Sequence, residues 1–202
     1  LVNWYQEERG ATNVWQGAVN SILMFERMGA TEPIATRGPD FRDFDTYNAM
    51  TYTKASLVLR MLRWLIGEDA MREVLREFYR RHALQHVDEE DFRRVVSDVA
   101  GEDLDWFFDQ WLHTTDQLDY EVASATATQV ADGWLTRVEV RRNGDAWMPV
   151  TLRVGEVEQR LTSRQPVQVV EIRTAERPST AALDPENVLL DLNPANNTRP
   201  VN

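Results

Sequence analysis

The chain has 202 residues, 43% of them hydrophobic and 27% charged, with only 8 Pro and 9 Gly, which is enough apolar material for one large folded unit or two small ones. Its formal net charge of −11 speaks against a nucleic-acid or anionic-membrane partner, because a phosphate surface demands clustered Lys and Arg. Cysteine is absent, so disulfides, thiolate metal sites and cysteine nucleophiles are excluded.

Leu1 stands where an initiator methionine is expected, so the N-terminus reads as cut. No apolar run long enough to cross a membrane occurs; the longest, Trp64-Leu65-Ile66, is far too short. Helical spacing of apolar residues predicts helices over Leu1–Arg9 and Asn13–Met28, with Thr12 as an N-cap and Gly10 and Gly29 as stops. Pro33, Gly38 and Pro39 mark a loop from Gly29 to about Asp43. The most apolar helix follows, Thr46–Ile66, closed by Gly67 and expected to be buried on nearly all sides. Glu68 and Asp69 open another helix running to His82, where acidic residues suit the positive end of the helix dipole. Asp88 caps a helix ending at Ala100-Gly101, and Leu104–Leu112 forms a short aromatic helix.

From Leu118 the apolar period changes to two. Trp134, Thr136, Val138 and Val140 alternate with Leu135, Arg137, Glu139 and Arg141, and Met148–Val154 repeats the pattern. Asn143-Gly144 between them reads as a type I′ hairpin turn. Tyr120–Thr128, Val157–Thr162, Val167–Ile172 and Val188–Leu192 are further strands. The expected fold is α+β: a helical bundle over residues 1–117, then a β-sandwich over 118–202.

Three groups of residues are candidate sites. His82 and His86 have the i,i+4 spacing that lets two imidazoles meet one metal, but the general-base Glu of a zinc peptidase motif is missing, and a helix C-terminus explains them better. Asp88-Glu89-Glu90-Asp91 lacks the alternating ligands and central glycine of a calcium loop, and fits a capped helix start. Trp106, Phe107, Phe108 and Trp111 are spaced for core packing rather than for a ligand groove. Lys54 is the only lysine among the 22 basic residues; codon bias in a GC-rich genome is the favoured cause, although a lysine kept where Arg is the usual choice hints at a local need.

The segment Tyr52-Thr53-Lys54-Ala55, continuing to Met61-Leu62, resembles the Tyr-x-Lys-Gly helix that follows the zinc site in gluzincin-type zinc metallopeptidases of the membrane alanyl aminopeptidase-like family. Phe78-Tyr79 with His82, Glu90-Asp91-Phe92, and Gly101-Glu102-Asp103-Leu104 with Phe107-Phe108-Asp109-Gln110-Trp111 keep further family stretches in the same order. Leu183-Asp184-Pro185 and Leu190-Asp191-Leu192-Asn193 resemble the close of the family's β-domain. The resemblance implies an intact enzyme that uses zinc to hydrolyse peptides at their N-termini, with a helical part of the catalytic domain over 1–117 and a C-terminal β-sandwich over 118–202.

Only one catalytic residue carries over. Tyr52 matches the family tyrosine that donates its O–H to the oxyanion of the tetrahedral intermediate, and a position at the start of the helix would add a favourable dipole. Tyr47, five residues earlier, is expected on another side of the helix. The resemblance breaks at two points: Ala55 replaces the family's usual Gly, and no H-E-x-x-H occurs in the chain. No zinc is therefore expected in the chain itself, which reads as an inactive C-terminal fragment; the alternative is a non-catalytic scaffold of the same fold that presents a surface to a protein partner.

Overall fold

The computed structural model describes residues 2–202 and separates the chain into two units, the first ending at Thr115 and the second beginning at Asp116. In the first unit, α1 spans Val2–Glu8 and α2 spans Gln16–Arg27; Leu1, the first residue of the expected opening helix, lies outside the described residues. Trp15, not Thr12, occupies the N-cap of α2, because Asn13 takes a left-handed φ of 57° and a turn fills residues 13–15. α1 is fastened by Trp4, whose indole donates to Glu68 at 2.9 Å and lies under the Arg63 guanidinium.

A single helical rod runs from Phe44 to Ile66 in three parts. These are α3 (Phe44–Asn48), a π-helical turn (Ala49–Lys54) and α4 (Ala55–Ile66). Asp43 caps it by accepting from the Thr46 amide at 2.7 Å, and Gly67 stops it at a φ of 93° that suits glycine. Thr46, Met50, Leu57, Val58, Met61 and Leu62 are buried along one side, each large apolar one contributing roughly 1.5–3 kcal/mol. The rod is not enclosed on all sides as its composition suggested, since Tyr52 and Leu59 are exposed.

α5 (Glu68–His82), α6 (Glu89–Ala100) and α7 (Asp105–His113) complete the unit. Asp88 and Asp91 form a reciprocal capping box at the start of α6, which accounts for the acidic run there. Phe107, Phe108 and Trp111 are buried in the core. Arg93, itself buried, binds Glu89 on its own helix and Asp109 on α7, so that charge pairing locks these two helices.

The second unit is a β-sandwich of two antiparallel sheets. β1 (Tyr120–Val130), β2 (Gly133–Arg142) and β5 (Val167–Thr174) form one sheet in the order β1-β2-β5. β3 (Val150–Val154), β4 (Val157–Leu161), β6 (Thr180–Leu183) and β7 (Thr198–Pro200) form the other, ordered β4-β3-β6-β7. The period-two alternation is realised: Val138 pairs with Val170 across the ladder, and both are buried with Val140, Val150, Leu152 and Val154.

Two sequence expectations fail here. Asn143-Gly144 joins strands of different sheets and is not a hairpin turn. Neither residue has a positive φ, so the type I′ geometry is absent; the glycine is there because an added Cβ would lie 2.0 Å from the Gln117 carbonyl oxygen. Val188–Leu192 is not a strand. Two of its amides go to a carboxylate, Asp184 accepting from Val188 and Leu189 at 3.0 and 2.8 Å, and its end makes only an isolated parallel bridge, with the Leu192 amide donating to the Leu118 carbonyl at 2.8 Å. Buried Asp191 accepts from the Tyr120 amide at 2.9 Å, the Asn193 amide at 2.8 Å and the Asn197 side chain at 3.2 Å. Burial raises the Asp191 carboxyl to about 6.

Candidate functional site

The π-helical turn determines where Tyr52 points. Its hydrogen-bonded ring holds one residue more than an α-turn, and the Ala55 amide accordingly reaches back to the Met50 carbonyl. Hydroxyls beside the turn bond to the backbone: Thr51 donates to the Tyr47 carbonyl at 2.7 Å, and Ser56 to the Thr53 carbonyl at 2.8 Å. In a regular α-helix, residues five apart diverge by about 140°. Across the wider turn they come together, and the Tyr47 and Tyr52 rings meet edge-on with centroids 6.1 Å apart. Tyr47 therefore does not face another side of the helix; it is the neighbour of Tyr52.

Tyr52 is 64% exposed. Its phenol titrates above the ordinary tyrosine range, chiefly through hydrogen bonding with Tyr47. It is a protonated, neutral hydrogen-bond donor at pH 7. The helix dipole adds nothing to it, because the rod begins eight residues earlier at Phe44 and the dipole acts only over the first turn. Phe41, Phe44 and Tyr47 extend the aromatic surface around this side of the rod: Phe44 stacks on Tyr47 at 6.2 Å and Phe41 meets it edge-on at 5.5 Å.

On its buried side, the same turn carries Lys54. Its ammonium lies 3.1 Å from Glu26 Oε1 on α2, and both side chains are at most 2% exposed. Burial raises the Glu26 carboxyl above its ordinary range, against the opposing pull of Lys54. Reading the sequence singled out Lys54 without finding Glu26 or the adjacency of Tyr47; the isolated lysine was the signal for the first, and nothing in the apolar pattern announced the π-turn.

The histidines do not converge. His82 ends α5 and packs on Phe78, while His86 lies beyond the helix end and is exposed. Among the described residues no three His, Asp or Glu side chains gather into a metal-binding group. The ligand set that a peptidase zinc needs is thus not supplied by the residues present. Among the described residues, too, no helix is long and apolar enough to cross a membrane.

Comparison with known proteins defines the class. The sequence matches the Peptidase family M1 domain over residues 3–111. Aminopeptidase N of Lactococcus lactis subsp. lactis is 31% identical over 78 residues, covering 39% of this chain and 9% of that protein. Aminopeptidase N of Streptomyces lividans is 26% identical over 125 residues, covering 60% and 14%. Aminopeptidase M1 of Arabidopsis thaliana is 28% identical over 123 residues, covering 57% and 13%. The crystal structure of Legionella pneumophila aminopeptidase A in complex with aspartic acid superposes with a TM-score of 0.53 at 19% identity, over 69% of this chain and 17% of that one, a likeness of fold. The class is that of the metallopeptidase hydrolases, and the family match runs through the helical unit that carries Tyr52. Within that class, the chain belongs to peptidase family M1. It spans between 9% and 14% of the length of these curated relatives, and membership of the family implies zinc in the intact enzyme.

Proposed function

We infer that this chain supplies the wall of an M1 aminopeptidase active site that lies beyond the metal-binding motif, followed by a C-terminal β-sandwich domain. The intact enzyme removes N-terminal residues from peptides; the chain by itself hydrolyses nothing and holds no zinc. Within the intact enzyme, the Tyr52 phenol donates a hydrogen bond to the oxyanion that develops on the scissile carbonyl. The observation that carries this reading is the exposed phenol of Tyr52, held on a rigid π-turn within the family-matching segment. A neutral donor on a rigid element is preorganised for charge that appears only in the transition state.

The test is Tyr52→Phe in the intact enzyme, which deletes one donor and keeps the ring. Loss of such a donor costs about 10²–10³ in kcat, with little change in KM. Tyr47→Phe is not a neutral control, given its contact with Tyr52; Tyr79→Phe, on exposed Tyr79 of α5, is the better one. Near-normal turnover of Tyr52→Phe would leave the tyrosine a packing residue and remove the catalytic assignment.

A further inference from the structure

A π-turn is a rare piece of helix, and this one has an anchor. Lys54 closes the turn, two residues after Tyr52, and its side chain runs inward while Tyr52 runs outward. The ammonium meets Glu26, which shares the buried face of α2 with Ile22 and Leu23. Every other basic residue in the chain is Arg. A compact ammonium on a thin four-carbon stem needs few partners in a closed space, whereas a guanidinium brings five donors in a fixed fork. Such a buried pair is a poor source of net stability, since apolar residues of similar volume often serve as well or better. Its distinctive property is that it fixes one geometry between two elements.

We propose that the Lys54–Glu26 ion pair is a positioning device: it tethers the π-helical turn to α2 and thereby sets the direction of the Tyr52 phenol. The catalytic half of this inference rests on the reading of Tyr52 given above; the tether itself does not. Amide hydrogen exchange of the 202-residue chain tests the tether. Lys54→Met should accelerate exchange at residues 51–55 about tenfold or more, while Leu57–Leu62 keep their rates. The double variant Glu26→Gln/Lys54→Met removes both buried charges and should recover thermal stability while residues 51–55 continue to exchange fast. Return of slow exchange together with stability would overturn the proposal, because the pair would then matter only as buried charge. If Lys54→Met does not fold, Glu26→Gln with the double variant carries the same comparison.

The catalytic consequence is read in the intact enzyme. Lys54→Met should lower kcat by roughly 10- to 100-fold with KM held, as expected for a displaced catalytic group, and should add little in a Tyr52→Phe background. Full additivity there would show that the tether does not act through Tyr52. If Tyr52→Phe proves silent while Lys54→Met still frees the turn, the catalytic reading of Tyr52 fails and the tether stands.

Discussion

Asp191 makes the stability of the β-sandwich depend on pH in the direction opposite to that of a paired surface carboxylate. Burial raises its carboxyl from the ordinary aspartate value of about 3.9 to about 6, so between these values the folded unit holds a proton that the unfolded chain releases. Stability from this group is then complete below about pH 4 and is lost as pH rises through 6, with a span of about 3 kcal/mol. Asp191→Asn removes the titration. The amide NH2 has no acceptor, whereas the hydroxyl oxygen of the protonated carboxyl still accepts, so the donors from Tyr120, Asn193 and Asn197 cannot all be met in the variant. That mismatch costs about 1–3 kcal/mol at pH 4. At pH 7, where the wild type carries a buried charge, the two proteins should converge or reverse order. Urea titrations from pH 4 to 7, followed by exchange of the Tyr120 amide, report the unit locally. Wild-type and variant curves that run parallel across this range would refute the linkage and leave Asp191 an ordinary hydrogen-bond acceptor.

Gly144→Ala would drive a Cβ into the Gln117 carbonyl; because that neighbour is backbone, the β-unit should lose more than about 1 kcal/mol in chemical denaturation. Asp88→Ala breaks the capping box of α6 and should cost about 1 kcal/mol, visible as faster amide exchange in the first turn of that helix. Elemental analysis of the purified chain after dialysis should find far less than one zinc per molecule, and a stoichiometric amount would contradict the assignment of the metal site to residues outside this chain.

Where an element is decided by contacts near in sequence, the residues announced it. Asp88 with Asp91, Gly101 at a φ of 71° and Gly67 at 93° are local devices, and the helices they bound were legible. So was the alternation of Val138 and Val140, which follows from one buried sheet face. What escaped depends on partners far along the chain. Asn143-Gly144 has hairpin composition, but the close approach of Gln117 decides its geometry. Val188–Leu192 has strand composition, yet Asp184 takes the Val188 and Leu189 amides and only an isolated bridge to Leu118 forms at its end. At the candidate site, Tyr52 was found through motif resemblance, and its exposure and contact with Tyr47 could not be: both follow from a single π-turn that leaves no mark in apolar spacing. Glu26 lies 28 positions from Lys54, beyond the reach of any local pattern.

In terms of insertions and deletions, the π-turn is one extra residue lodged in an otherwise α-helical rod. Deleting a single residue between Ala49 and Lys54 would let the rod relax to uniform α-helix, so helix formation itself would survive. Everything upstream would turn by about 100° relative to α4. Thr46 would leave the buried face, and Phe44 and Tyr47 would swing away from Tyr52. A length change that scarcely troubles helix propensity would thus dismantle the aromatic surface, and sequences that share this site should hold the spacing from Tyr47 to Lys54 fixed while their side chains vary.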